Sequence, residues 1–290
     1  MANLKEIRTR ISSVQKTKQV TAAMKMVSAA KLKKAQDAIV QIRPFADKLH
    51  EILSNLTASL NDSDVNLYGE ERKPEKVLLV AITSNKGLCG AFNANVIKQV
   101  NVLAGGVYKE QNEKGSLHVL AIGKQGYEIL RKSLNVIGEH NEVYNELNFK
   151  NVSAIASSVM QDFVAGTYDK VELVYNQFKN AGVQILTTEQ FLPVVQSAED
   201  NDTQSEYIFE PNQEEILENL IPKSLRTQFF KAMLDSFASE HGARMTSMHK
   251  ATDNATDLIQ DLNLTYNKAR QSAITNEILE IVSGANALAN

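Results

Sequence analysis

The chain has 290 residues, 43% of them hydrophobic and 22% charged, with a formal net charge of −3. That balance supports a buried core and argues against a dedicated nucleic-acid binder, which would carry a large positive excess. A single cysteine, Cys89, excludes an internal disulfide framework and every multi-cysteine zinc site.

The small net charge hides an asymmetry. Residues 1–50 hold eleven Lys and Arg against three acids, a balance of +8, whereas residues 141–220 hold three Lys against fourteen acids, a balance of −11. Ends of opposite sign suggest contacts with different partners. No run approaches the length of an apolar membrane span, and the first residues, Met1-Ala2-Asn3-Leu4-Lys5-Glu6, lack the apolar core of a signal peptide. A soluble, intracellular chain is the expectation.

Residues 1–60 are predicted to form one long helix. Alternating steps of four and three from Ile7 meet Ile11, Val14, Lys18, Thr21, Lys25, Ser28, Leu32, Ala35, Ile39, Ile42, Ala46, Leu49, Leu53, Leu56 and Leu60. That 3.5-residue repeat is the coiled-coil spacing. Pro44 interrupts it and should bend or locally break the helix, because proline lacks the backbone donor. Met24, Met26 and Val27 lie beside the seam, so this stretch is apolar on more than one face and is expected to be enclosed by more than one partner.

Residues 75–195 alternate strand and helix signals. Val77-Leu78-Leu79-Val80-Ala81-Ile82 and Leu117-His118-Val119-Leu120-Ala121-Ile122 read as buried strands, each followed by a turn and a helical stretch. A third helix is expected at residues 151–166, a strand at 171–175 and another at 183–191. The layout predicts a Rossmann-like α/β domain with a mostly parallel sheet. Residues 196–212 form an acidic edge segment, with its acids concentrated in 199–206.

Residues 213–290 read as helix again. Met248, Thr252, Ala255, Ile259, Leu262, Tyr266, Ala269 and Ala273 repeat the four–three step, and many seam side chains are small enough for close approach. At 1.5 Å per residue the two helices would reach roughly 80 and 100 Å, too long for a globular domain of this size. They are expected to pair as a long antiparallel coiled coil projecting from the α/β domain.

Residues 84–90 follow a strand and precede a helix, where a nucleotide fold binds anions. Neither G-x-G-x-x-G nor G-x-x-x-x-G-K-[ST] occurs in the chain, so turn geometry is the default there. The five histidines have no metal-ligand spacing, and Cys89 has no assignable base. No catalytic residue, cofactor site or metal site is assigned. A coiled-coil adaptor built on a nucleotide-binding domain would need the phosphate-cradling loop that is missing, and a small-molecule enzyme with a Rossmann-like core would bind a dinucleotide tightly, which the sequence gives little reason to expect.

Three blocks go beyond composition. The first is Ile7-Arg8-Thr9-Arg10-Ile11-Ser12-Ser13-Val14-Gln15-Lys16-Thr17, continuing through Thr21-Ala22-Ala23-Met24-Lys25-Met26-Val27-Ser28. The second is Gly87-Leu88-Cys89-Gly90-Ala91-Phe92-Asn93. The third runs Ser239-Glu240-His241-Gly242-Ala243-Arg244-Met245, then Tyr266-Asn267-Lys268-Ala269-Arg270-Gln271-Ser272-Ala273-Ile274-Thr275-Asn276-Glu277-Ile278. Together these resemble the gamma subunit of the rotary ATP synthase, in the family's order and at both ends and the middle.

The resemblance implies a central-stalk rotor without catalysis of its own. Its terminal helices would stand inside a ring of three alpha and three beta subunits, and its α/β domain beside the epsilon subunit and the c-subunit ring. Proton or sodium flow would turn it and drive ATP synthesis at the beta subunits. By resemblance, Arg270, Gln271, Thr275 and Glu277 match positions that engage the beta subunit, as do Met24 and Arg244. Lys86 and Cys89 match the loop facing the beta subunit's lever, and Tyr207 and Glu210 a segment near epsilon and the c ring. A single cysteine leaves no thiol pair of the regulated chloroplast kind. Without a presequence, the expected location is the cytoplasmic face of a bacterial inner membrane, held peripherally through the complex.

Overall fold

A computed structural model describes residues 4–58, 68–69, 72–194 and 213–288. The chain divides into two compact units, one made of residues 1–28 and 245–290, the other of residues 29–244. The long helices α1 (Leu4–Ala58) and α6 (Gln213–Leu288) each contribute to both.

The larger unit is built on a five-stranded sheet in the order β3-β2-β1-β4-β5. Its strands are β1 (Val77–Ile82), β2 (Leu117–Ile122), β3 (Val136–Glu139), β4 (Lys170–Asn180) and β5 (Val183–Leu192). The first four run parallel, and only β5 is antiparallel, to β4. All six residues of β1 are buried because both faces of the sheet are covered, which explains an unbroken apolar run rather than an alternating one.

On one face, Leu78, Val80 and Ile82 pack against Val152, Val159 and Phe163 of α5 (Phe149–Val164) and Leu225, Phe229 and Met233 of α6. On the other, Val77, Leu79 and Ala81 meet Val96, Val100 and Leu103 of α2 (Phe92–Gly105). The α5 stripe Val152, Ile155, Ala156, Val159, Met160, Phe163 has helical spacing, and Asn148 starts it by accepting the Asn151 N–H at 2.8 Å. Two short helices, α3 (Lys109–Glu113) and α4 (Lys124–Leu130), complete the connections.

β3 has no counterpart in the sequence reading. It is four residues long, contains Gly138 and sits half-buried at the sheet edge, so it carries neither an apolar run nor alternation. β4 also outruns its apolar core, since the polar Asn176, Gln177 and Asn180 still pair with β5. Pro44 does not break α1, which continues to Ala58. Pro44 is exposed, and so is Val40, whose carbonyl would otherwise accept from position 44; water can satisfy that oxygen.

Within the larger unit, α1 buries Leu32, Ala35, Ile39 and Leu49 at seam positions. It runs antiparallel to α6. Arg43 meets Asp235 at 3.5 Å, and Phe45, further along α1, lies under Lys223, further back along α6. In the smaller unit the buried seam residues are Ile7, Thr21 and Ser28 of α1 with Met248 and Ala255 of α6. The Thr21 and Thr252 hydroxyls lie 2.9 Å apart and join the two helices. Leu53, Leu56 and Leu60 lie outside the residues whose side chains are described. No described helix is long and apolar enough to cross a membrane.

Asp235 yields a stability prediction. Its side chain is fully buried, and desolvation raises its pKa from 3.8 to about 6 against the opposing pull of Arg43 and Lys231. A carboxylate whose folded-state pKa exceeds the unfolded one is penalised by the fold above the higher value, and the penalty fades as pH falls toward the lower one. Asp235→Asn should therefore be neutral to stabilising, by about 1–3 kcal/mol at pH 8, with the gain vanishing near pH 4. Denaturant titrations of both proteins at the two pH values check this; equal gains at both would contradict it.

Candidate functional site

The loop after β1 is held from three sides. Thr83 donates its hydroxyl to the Ile122 and Gly123 carbonyls and accepts the Gly126 N–H, tying it to the loop after β2. Asn85 donates to the Asn141 carbonyl and accepts the Lys124 N–H. Asn93, the second residue of α2, accepts the Ser84 N–H at 2.9 Å and donates to the Cys89 sulfur at 3.3 Å. The Cys89 thiol is buried beside Phe92 and Ala243, and burial raises its pKa.

The third side is α6. Arg244 donates Nη1 to Glu240 Oε1 at 2.6 Å, Nη2 to the Lys86 carbonyl at 2.7 Å, and Nε to the Gly87 carbonyl at 3.3 Å. Both side chains of the pair are only 8% exposed. Glu240 has its pKa raised by burial, with Arg244 pulling the other way. His241 places Nδ1 3.3 Å from Arg244 Nη1, where it can only accept; burial, then Arg244 and Lys31, lower its pKa to about 3 and keep it neutral. Its ring meets Phe237 edge-on, Phe237 stacks on Tyr144, and the Tyr144 hydroxyl donates to the Thr83 carbonyl at 2.6 Å.

This arrangement has a chemical sense. A phosphate needs donors, yet the loop turns the Lys86 and Gly87 carbonyls toward α6, and these are acceptors. The group that suits them is a cation. The chain supplies it itself in Arg244.

The positions carried by the resemblance fall into two sets. Lys86, Cys89 and Arg244 come together in the larger unit; Lys86 is exposed, whereas Cys89 and Arg244 are buried. Arg270, Gln271, Thr275 and Glu277 lie exposed on α6 in the smaller unit, Thr275 donating to the Gln271 carbonyl at 2.9 Å, and Met24 is half-buried on α1. Tyr207 and Glu210 lie outside the described residues. The reading from sequence did not single out Glu240, Asn93 or Leu88. Glu240 and Arg244 carry a signal, an acid and a base four apart on a helix; Asn93 and Leu88 lie inside a motif but carry none of their own.

Past Ala269 the helix changes character. Every residue from Arg270 to Ala285 is exposed, including Ile274, Ile278, Leu279, Ile281 and Val282. At 3.6 residues per turn these five spread over about 160° of the helix circumference. Among the described residues no cluster of His, Cys, Asp and Glu fit to hold a metal ion occurs.

A family model described as ATP synthase matches residues 3–288. The chain is 59% identical over 289 residues to the ATP synthase gamma chain of Flavobacterium johnsoniae, covering 99% of each. It is 57% identical over 288 residues to that of Christiangramia forsetii, again covering 99% of each. Among solved structures, a chain of the central stalk and c-ring of the Tetrahymena thermophila mitochondrial ATP synthase is similar at 29% identity and a TM-score of 0.58, over 80% of this chain and 99% of that one. A chain of the Euglena gracilis mitochondrial ATP synthase shares the fold at 20% identity, with a TM-score of 0.68 over 98% and 94%.

Proposed function

The chain belongs to the ATP synthase gamma-chain family, and from that premise we propose that it is the central-stalk rotor coupling transmembrane proton or sodium flow to ATP synthesis or hydrolysis at the beta subunits. It is not catalytic alone. Three alpha and three beta subunits enclose its terminal helices, and the epsilon subunit and the c ring bind it too, through contacts to which Tyr207 and Glu210 would contribute. It sits on the cytoplasmic face of a bacterial inner membrane through these partners.

The observation that carries the reading is the bare end of α6. An apolar stripe of Ile274, Ile278, Leu279, Ile281 and Val282 on an exposed helix has no reason to remain in water. Partners that surround it would supply the missing burial, as a sleeve does around a shaft. Arg270, Gln271, Thr275 and Glu277 share this segment and are exposed for beta-subunit contact, with Met24 on the facing helix of the same unit.

Purification of the tagged chain from its native membranes is expected to recover alpha, beta, epsilon and c subunits with ATPase activity. Recovery of the chain alone, from membranes that contain those subunits, would overturn the proposal. In the assembled complex, Arg270→Ala with Gln271→Ala should lower ATP turnover roughly tenfold, as loss of a few central interface side chains does. Assembly should survive, because both are exposed on the chain and support none of its core. Unchanged turnover would remove these two from the contact.

A further inference from the structure

We propose that Arg244 is a positioning residue rather than a partner contact: with Glu240 it holds residues 84–90 from within, so that Leu88, and not Cys89, is the apolar side chain this loop offers to the beta subunit. The identity of the partner rests on the rotor reading; the clamp itself does not.

Arg244 is buried, and its donors are spent on Glu240, on His241 Nδ1 and on the carbonyls of Lys86 and Gly87. Nothing is left to reach another chain. The Lys86 carbonyl also accepts the Ser84 hydroxyl at 2.7 Å, while Asn93 grips Ser84 and Cys89 from α2. The loop is thereby fixed on both sides of its apex.

At that apex Leu88 has a φ of 61°, the one non-glycine residue with positive φ recorded among the described residues. A bulky side chain in the left-handed region is strained and persists only where its surroundings impose it. The strain does not bury Leu88, which is 65% exposed. Instead it turns the leucine out and the next residue's thiol in, against Phe92 and Ala243. In the isolated chain the exposed Leu88 side chain itself gains nothing from this geometry. An apolar socket on a partner would supply that gain, and a rigid apex would transmit force where a loose loop would yield.

The chain's only cysteine lies under the clamp and reports on it. In the assembled complex, maleimide modification of Cys89 is followed by mass spectrometry. Arg244→Lys keeps a charge beside Glu240 but replaces the two-carbonyl fork by a single ammonium, and Glu240→Gln with Arg244→Gln removes both charges without orphaning either. Both should raise the modification rate roughly tenfold or more, as opening of a local segment does. Leu88→Gly relieves the backbone and deletes the side chain; it should leave Cys89 protected yet lower ions pumped per ATP roughly threefold, the loss expected of an interface anchor.

Unchanged protection in the Arg244 variants would overturn the clamp. Unchanged pumping in Leu88→Gly would overturn the apex contact. If an Arg244 variant does not assemble, protection of Cys89 in its full-length chain is read instead, with the same two outcomes. Failure of the rotor reading looks different: the wild-type chain would then not co-purify with a beta subunit at all.

Discussion

Replacing Gly123 by alanine is expected to cost more than about 3 kcal/mol, from left-handed strain and a backbone collision together. Gly123 has a φ of +101°, and a Cβ there would stand 2.2 Å from the Thr83 carbonyl oxygen and 2.7 Å from its carbon. Neither atom can retreat, since that carbonyl accepts the Tyr144 hydroxyl and the Thr83 hydroxyl is tied to the Ile122 and Gly123 carbonyls. The two strand-end loops would have to part, loosening the base on which residues 84–90 stand. Gly115 is the control: its φ is +72°, but nothing lies within 4 Å of the place a methyl group would take there. Gly115→Ala should cost only about 1 kcal/mol, the conformational term alone. Denaturant midpoints of the two variants separate collision from strain, and equal losses would contradict this account.

Arg244→Ala is the second large effect, at about 3–5 kcal/mol, because it leaves a buried carboxylate without its partner. Glu240 is 8% exposed at its side chain, and Arg244 is the first of the groups that hold its pKa down against burial. The paired change Glu240→Gln with Arg244→Gln should cost less than Arg244→Ala alone, since no charge is then stranded. The sign of the pH dependence follows. Without Arg244 the folded-state pKa of Glu240 rises further above its ordinary value, so the fold disfavours the ionised form more strongly at neutral pH. Protonation removes that penalty, and the cost of Arg244→Ala should shrink as pH falls toward the ordinary carboxylate range. A cost independent of pH would assign the loss to the Lys86 and Gly87 carbonyls rather than to Glu240.

The seam of the two long helices was legible because its spacing is a property of one chain. Ile7, Thr21, Ser28, Leu32, Ala35 and Ile39 are buried where the four–three step places them, even though Thr21 and Ser28 are polar. Thr21 resolves its polarity by meeting Thr252, a pairing no one-chain pattern announces. The strands at Val77–Ile82 and Leu117–Ile122 were legible as well, burial on both faces leaving an apolar run that only His118 interrupts. β3 was not, since four half-buried residues give no period, and Pro44 leaves α1 unbroken because an exposed helix face tolerates a lost hydrogen bond.

The site was legible only in outline. The motif Gly87-Leu88-Cys89-Gly90 marks a loop, but its meaning depends on Arg244, 157 positions from Gly87. Which of Leu88 and Cys89 faces outward depends in turn on one backbone angle. An i,i+4 acid–base pair such as Glu240 and Arg244 ordinarily marks a solvated helix surface. Here the sheet loops cover it, and the same pair becomes an internal fastening.

A rotor of the kind proposed turns as a shaft. The most direct test holds the assembled complex to a surface through its beta subunits, attaches a bead to this chain, and supplies ATP. Unidirectional turning that stops when ATP is withdrawn is the predicted result. A bead that stays still while the same complexes hydrolyse ATP would contradict the account.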